Sequence, residues 1–175
     1  LNALPDTGPR EFWYQPYKRL LYAQCQIELG KFDLALPKLD EIVKQYPRSF
    51  YVLEAIHEKI KAHLALKQPE KLSELAALLD PKGDFAEPAA AGPYGKIWQL
   101  RGRIAEADAL GQSGQPGLAR AADLYKGLTE VTEALLAGPP EELKPVVAEI
   151  GTIRQGAMVG RFQALVSIDP EQALQ

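Results

Sequence analysis

Leu20 to Pro47 reads LLYAQCQIELGKFDLALPKLDEIVKQYP, and this stretch decides the fold. It carries two apolar stripes at helical spacing that meet at Gly30, and a proline closes the second. A glycine at that junction supplies the conformational freedom a tight helix-to-helix turn needs. The result is a helical hairpin with one apolar face per helix and too little surface of its own to cover both. Such a unit needs neighbours, and the rest of the chain is read for them.

Gly30 at the bend is followed by Phe32, Ala35, Leu39, Ile42 and Pro47, with Tyr22 and Ala23 before it. These spacings resemble the tetratricopeptide repeat, a pattern of about 34 residues with small residues where helices cross closely and a proline at the end. A second unit begins at Ser49, a candidate N-cap, and carries Leu53, Ile56, Ile60 and Leu64 on one stripe. Pro69 restarts the chain, and Leu72, Leu75, Ala76 and Leu79 lead to Pro81, one repeat period beyond Pro47. A third hairpin holds Ile97, Trp98, Leu100, Ile104 and Leu110, then Leu118, Ala122, Tyr125, Leu128 and Leu135. Trp98, Gly102 and Tyr125 fall near the family's Trp, Gly and second-helix aromatic positions, although GQSGQPG between the helices inserts residues into the pattern.

The expected fold class is therefore all-α, antiparallel helical hairpins stacked as a short α-solenoid of the tetratricopeptide type. Helices are expected at 16–29 with 32–46, 49–66 with 69–79, and 95–110 with 117–137. A final helical element over 141–168 reads as a degenerate hairpin or as one kinked capping helix. As a single domain over 1–175, the chain divides into an aromatic segment at 1–15, repeats at 16–47 and 49–81, a linker at 80–95, a hairpin at 95–138 and the last element at 141–170. DPKGDFAEPAAAGPYG, Asp80 to Gly95, has too many breakers for a helix and reads as that linker. The ends have the look of a piece cut from a longer array.

Composition narrows the function classes. A formal net charge of -3 over 175 residues leaves no cationic excess to neutralise phosphates, so nucleic acid is not an expected partner. No apolar run reaches the roughly 18 residues that would suggest a transmembrane span. Cys25 is the one cysteine, which excludes an internal disulfide, and it is expected to be a helix-packing thiol.

His57 and His63 are the two histidines, six residues apart and so on different faces of one helix. Glu54-x-x-His57 is half of the pattern a di-iron bundle takes from two helices, but no second copy exists, and a solvated helix face accounts for it. Gly111, Gly114 and Gly117 lack the Gly-Lys-Ser/Thr ending of a phosphate loop and read as a flexible turn. Glu141 and Glu142 suit a helix start. No catalytic residues, metal ligands or cofactors are expected, and an all-helical enzyme or metal protein is the weak alternative.

The resemblance implies a concave groove lined by first helices, with Tyr17, Gln24, Tyr51 and Glu54 facing it, together with Glu58, Lys61, Gln99 and Arg103. The expected function is a non-catalytic scaffold that binds a protein or peptide partner there. The alternative is a structural spacer within a longer repeat array. Phe12, Trp13 and Tyr14, ahead of Pro16 as the first residue of the first helix, are expected to cap the exposed end of hairpin one, or else to contact a partner. Gly156, Gly160 and Ala164 form a small-residue ladder suited to close packing of the last helix within the chain, with a homodimer through that helix as the other reading. YPRSFYVLEA, Tyr46 to Ala55, resembles a junction in bacterial envelope proteins of the outer-membrane-assembly lipoprotein and Tol-Pal-associated type. It tilts the expected location to the bacterial periplasm or cell envelope, against the cytoplasm.

Overall fold

The computed structural model describes residues 11–79, 83–85 and 93–170, and among these all regular structure is helical. In chain order the elements are α1 (Glu11–Glu28), α2 (Phe32–Gln45), α3 (Tyr51–Ala65), α4 (Pro69–Ala77), α5 (Tyr94–Gly111), α6 (Gln115–Ala137), a 3-10 turn (Glu141–Val146) and α7 (Val147–Ile168). The bounds agree with the sequence expectations to within a few residues except at the start. Pro16 lies inside α1 and is not its first residue, so Phe12, Trp13 and Tyr14 belong to the helix and are not a separate segment. A proline there leaves the carbonyl four residues earlier without its helical donor. Ser49 sits one place before the N-cap Phe50, and its Oγ accepts the Tyr51 amide at 3.3 Å.

The first hairpin turns at Gly30, whose φ of +69° is a conformation that only glycine adopts without strain. Leu20 and Ala23 of α1 meet Ala35, Leu39 and Ile42 of α2 in a core with Ala55 of α3. Ala35 is fully buried at this crossing, as its size predicts. Arg19 Nε bonds Glu41 Oε2 at 3.0 Å across α1 and α2, and Lys59 Nζ reaches Asp40 Oδ1 at 2.7 Å across α2 and α3. Cys25 is exposed, contrary to expectation. Two residues are about 200° of helix turn, which carries it away from the buried Ala23.

The hairpins stack side by side. Helices α1, α3, α5 and α7 form one row in which each touches the next, and α2, α4 and α6 pack behind them. A second core joins Val52, Leu53, Ile56 and Ile60 of α3 to Leu72 and Leu75 of α4 and Trp98 of α5. Gly102 belongs to this junction: a Cβ there would lie 3.1 Å from Leu79 Cβ and 3.2 Å from the Ala76 carbonyl oxygen. The stretch between α4 and α5 lies partly outside the described residues, but Phe85 within it is buried in the same core. That residue is an anchor the linker reading missed.

The third core, around Ile97, Leu100, Tyr125 and Leu128, is closed by Leu143, Val146, Ile150 and Ile153. The Gly111–Gly117 turn is exposed from Gln112 to Pro116 and packs closely only at Gly117. Gly114 has a φ of +85°, and a Cβ on Gly117 would overlap the Leu110 carbonyl. The last element is one helix preceded by a 3-10 turn, which resolves the two readings of 141–168. Glu141 and Glu142 occupy the first turn of that 3-10 segment.

Candidate functional site

Where α1 and α3 lie side by side, their outward side chains interlock. Tyr17 and Tyr51 bring ring centroids to 5.4 Å. Phe50 adds an edge-on contact to Tyr51 at 6.2 Å and a second to Tyr94, at the start of α5, at 5.7 Å. Four rings thus run in an unbroken line across three first helices. Tyr17, Phe50 and Tyr94 are 39%, 42% and 42% exposed, which leaves a contiguous aromatic patch at the surface.

One to two turns along the same helices the surface becomes polar. Gln24 donates from Nε2 to Glu54 Oε1 at 3.0 Å and to Glu58 Oε1 at 3.4 Å. Glu58 is only 6% exposed, and Lys61 covers its other oxygen at 2.8 Å. A carboxylate this deep would be costly unpaired, and the amide and the ammonium together satisfy it. Six of the expected site residues, Tyr17, Gln24, Tyr51, Glu54, Glu58 and Lys61, therefore share one surface.

His57 adjoins this surface and was dismissed too readily as part of a solvated face. Its ring meets Trp98 of α5 edge-on at a centroid distance of 6.0 Å. Burial, and then the positive charges of Arg101 and Lys61, push its pKa down to about 4, so the imidazole is neutral near pH 7. Arg101 lies over the Trp98 ring at 4.7 Å and bonds Glu149 of α7 at 3.2 Å. The first-helix surface thus continues onto α5 through Tyr94 and Arg101, two residues that sequence matching passed over.

Gln99 and Arg103 do not join it. Gln99 stands about 200° around α5 from Arg101, on the side facing the second helices. There the two residues border one cleft of about 360 Å³ with Ser73, Ala76 and Leu79, and another of about 250 Å³ with Asp123, Leu124 and Val131. Lys96 reaches Gln99 Oε1 at 3.0 Å on the same side. These two residues of the expected groove set therefore lie apart from the other six.

Of the N-terminal aromatics, Tyr14 is half-buried, and the side chains of Phe12 and Trp13 lie outside the described residues. Among the described residues no three His, Cys, Asp or Glu side chains converge in a way that could hold a metal ion, and no helix is long and apolar enough to cross a membrane. The Gly160 end of the small-residue ladder is used for packing inside the chain, since a Cβ there would come within 2.6 Å of Tyr125 Cε1. In comparison with known proteins, no family model, curated protein or solved structure matches the chain.

Proposed function

We infer that the chain is a non-catalytic interaction module of the tetratricopeptide-repeat type, binding an extended or helical segment of another protein across the outward faces of α1, α3 and α5. The observation that carries this reading is the continuous line Tyr17, Tyr51, Phe50, Tyr94, left exposed beside a strip of mixed charge. Aromatic rings supply large contact area at low entropic cost, and flanking charges of both signs set register. The resemblance of the Tyr46–Ala55 junction supports a place in a bacterial cell-envelope assembly.

Selection of binders from a displayed peptide library tests the reading. A selected peptide should lose about tenfold or more in affinity against Tyr51→Ala or Phe50→Ala, and keep its affinity against Gln99→Ala on the opposite side. Binders indifferent to Tyr51 and Phe50 would overturn it.

One observation favours a second reading, a structural unit within a longer array. On α7 the side away from α6 carries Met158, Val159, Phe162 and Val166, each at least 40% exposed. An exposed apolar patch of this kind on a helix is a surface that a neighbouring element can cover. A homodimer through this face is the corresponding self-association, and sedimentation at increasing concentration distinguishes it from a monomer.

A further inference from the structure

A wide cleft lies where α5, α6 and α7 meet, apart from the first-helix strip and independent of the function proposed for it. It encloses about 410 Å³, within the range of small-ligand sites. Leu64, Leu118, Ala121 and Ala164 give it apolar walls, and Asp108 and Tyr125 line it with a carboxylate and a phenol. Gln163 and Ser167 stand exposed at its edge.

Its geometry follows from one glycine. Because Gly160 has no side chain, α7 rests directly against the Tyr125 ring. The ring is held with its hydroxyl donating to Asp108 Oδ1. Among the described residues no lysine, arginine or histidine pairs with Asp108. The contrast with Glu58 is direct. That acid is more deeply buried and has Lys61 against it, whereas the half-buried Asp108 is met by the neutral phenol of Tyr125. Burial holds the Asp108 carboxyl above the usual range, with the Tyr125 hydrogen bond pulling the other way. A half-buried carboxylate without a counter-charge, beside an open cleft with both polar and apolar walls, is stabilised by a cation that can reach it.

The geometry points to a binding site for an ammonium or guanidinium group borne on a short apolar stem. The cation sits against Asp108, and the stem lies along Leu118, Ala121 and Ala164. Gln163 and Ser167 offer further hydrogen bonds at the mouth. Anions are rejected by the same carboxylate, and a neutral alcohol of equal shape gains the apolar contact but not the charge.

The test is an amide-resolved NMR titration of the whole chain with n-butylammonium and with N-acetyl-lysine-N-methylamide, using n-butanol as the neutral counterpart. Saturable shifts at Asp108, Gln112, Tyr125 and Gly160 are expected with a cation and not with n-butanol at the same concentration. Asp108→Asn should weaken the cation by about tenfold or more. Should that variant not fold, Gln163→Trp, placed at an exposed position on the mouth, should block the cation while leaving Asp108 in place. Saturation by butylammonium assigns the site to free amines, and saturation by the lysine derivative alone assigns it to a basic side chain of a protein. Equal response to n-butanol, shifts that do not saturate, or unchanged affinity in both variants overturns the site.

Discussion

Tyr17 and Tyr51 stand 34 positions apart in the chain and face each other at 5.4 Å with their planes tilted by 36°. Gln24 and Glu58, separated by the same 34 positions, touch as well. Moving along the chain by one hairpin therefore returns to an adjacent place on one surface. Tyr51 is the residue through which that surface is best probed, because its ring contacts Tyr17 on one side and Phe50 on the other. Tyr51→Ala is expected to cost a bound partner about 1–2 kcal/mol or more, and to lower fold stability by less than a core truncation at Leu53 would. Isothermal titration and urea denaturation on the same preparation check both halves. A stability loss as large as that of Leu53→Ala would show the ring to be core and not surface.

Two glycines make opposite predictions. Gly102→Val drives side-chain atoms into Leu79 and the Ala76 carbonyl and should destabilise by about 1–3 kcal/mol. Gly127, within α6, has open space where a Cβ would go, so Gly127→Ala should stabilise by up to about 1 kcal/mol through helix propensity. Thermal melts of the two variants should move in opposite directions, and movement of both the same way would mean that the α4–α5 approach is misjudged.

Gly160→Ala should be costly for a different reason, since its methyl group meets a ring that is itself held by Asp108. A loss on the order of 1–3 kcal/mol is expected. Tyr125→Ala in the same chain should relieve part of the clash, so the two losses should add to more than the double variant shows. Strict additivity in denaturant would argue against contact between the two positions.

His57 gives the fold a pH dependence of definite sign. The unfolded imidazole takes up a proton near pH 6.5, and the folded one only near 4. Stability is therefore fully present above 6.5 and falls as pH drops towards 4, by an upper limit of about 3 kcal/mol. His57→Gln should flatten this part of the curve. Because carboxylates titrate at the lower end of the same window, the quantity to measure is wild type minus variant across pH 4 to 7, and a flat difference would place His57 in water.

The hairpin at Gly30 and the burial of Ala35, Leu39 and Ile42 were legible because one local period fixes both the turn and the inward face. The face of α5 was not. Gln99 and Arg103 flank Arg101 by two positions each, and two residues rotate a helix by about 200°, so matching a family pattern does not fix which face a side chain takes. Phe85 was hidden for another reason: a single aromatic among prolines and glycines has no periodicity to announce that it is buried. His57 and Glu58 looked like solvated residues because sequence shows the charge but not the neighbour that neutralises or excludes it. Asp108 and Tyr125 belong to different helices, and their meeting depends on Gly160 in a third.

Among the described residues, no helix makes an extensive contact with one more than two places away along the chain. Each stretch can accordingly find its partners without first closing a long loop, so assembly can begin in more than one hairpin and spread. Loss of order should be equally local, with amide protons in α1 and α2 exchanging on a different schedule from those in α6 and α7. A partner lying across Tyr17, Tyr51, Phe50 and Tyr94 would couple segments that otherwise open separately, and its arrival would be read as slowed exchange well beyond the residues it touches.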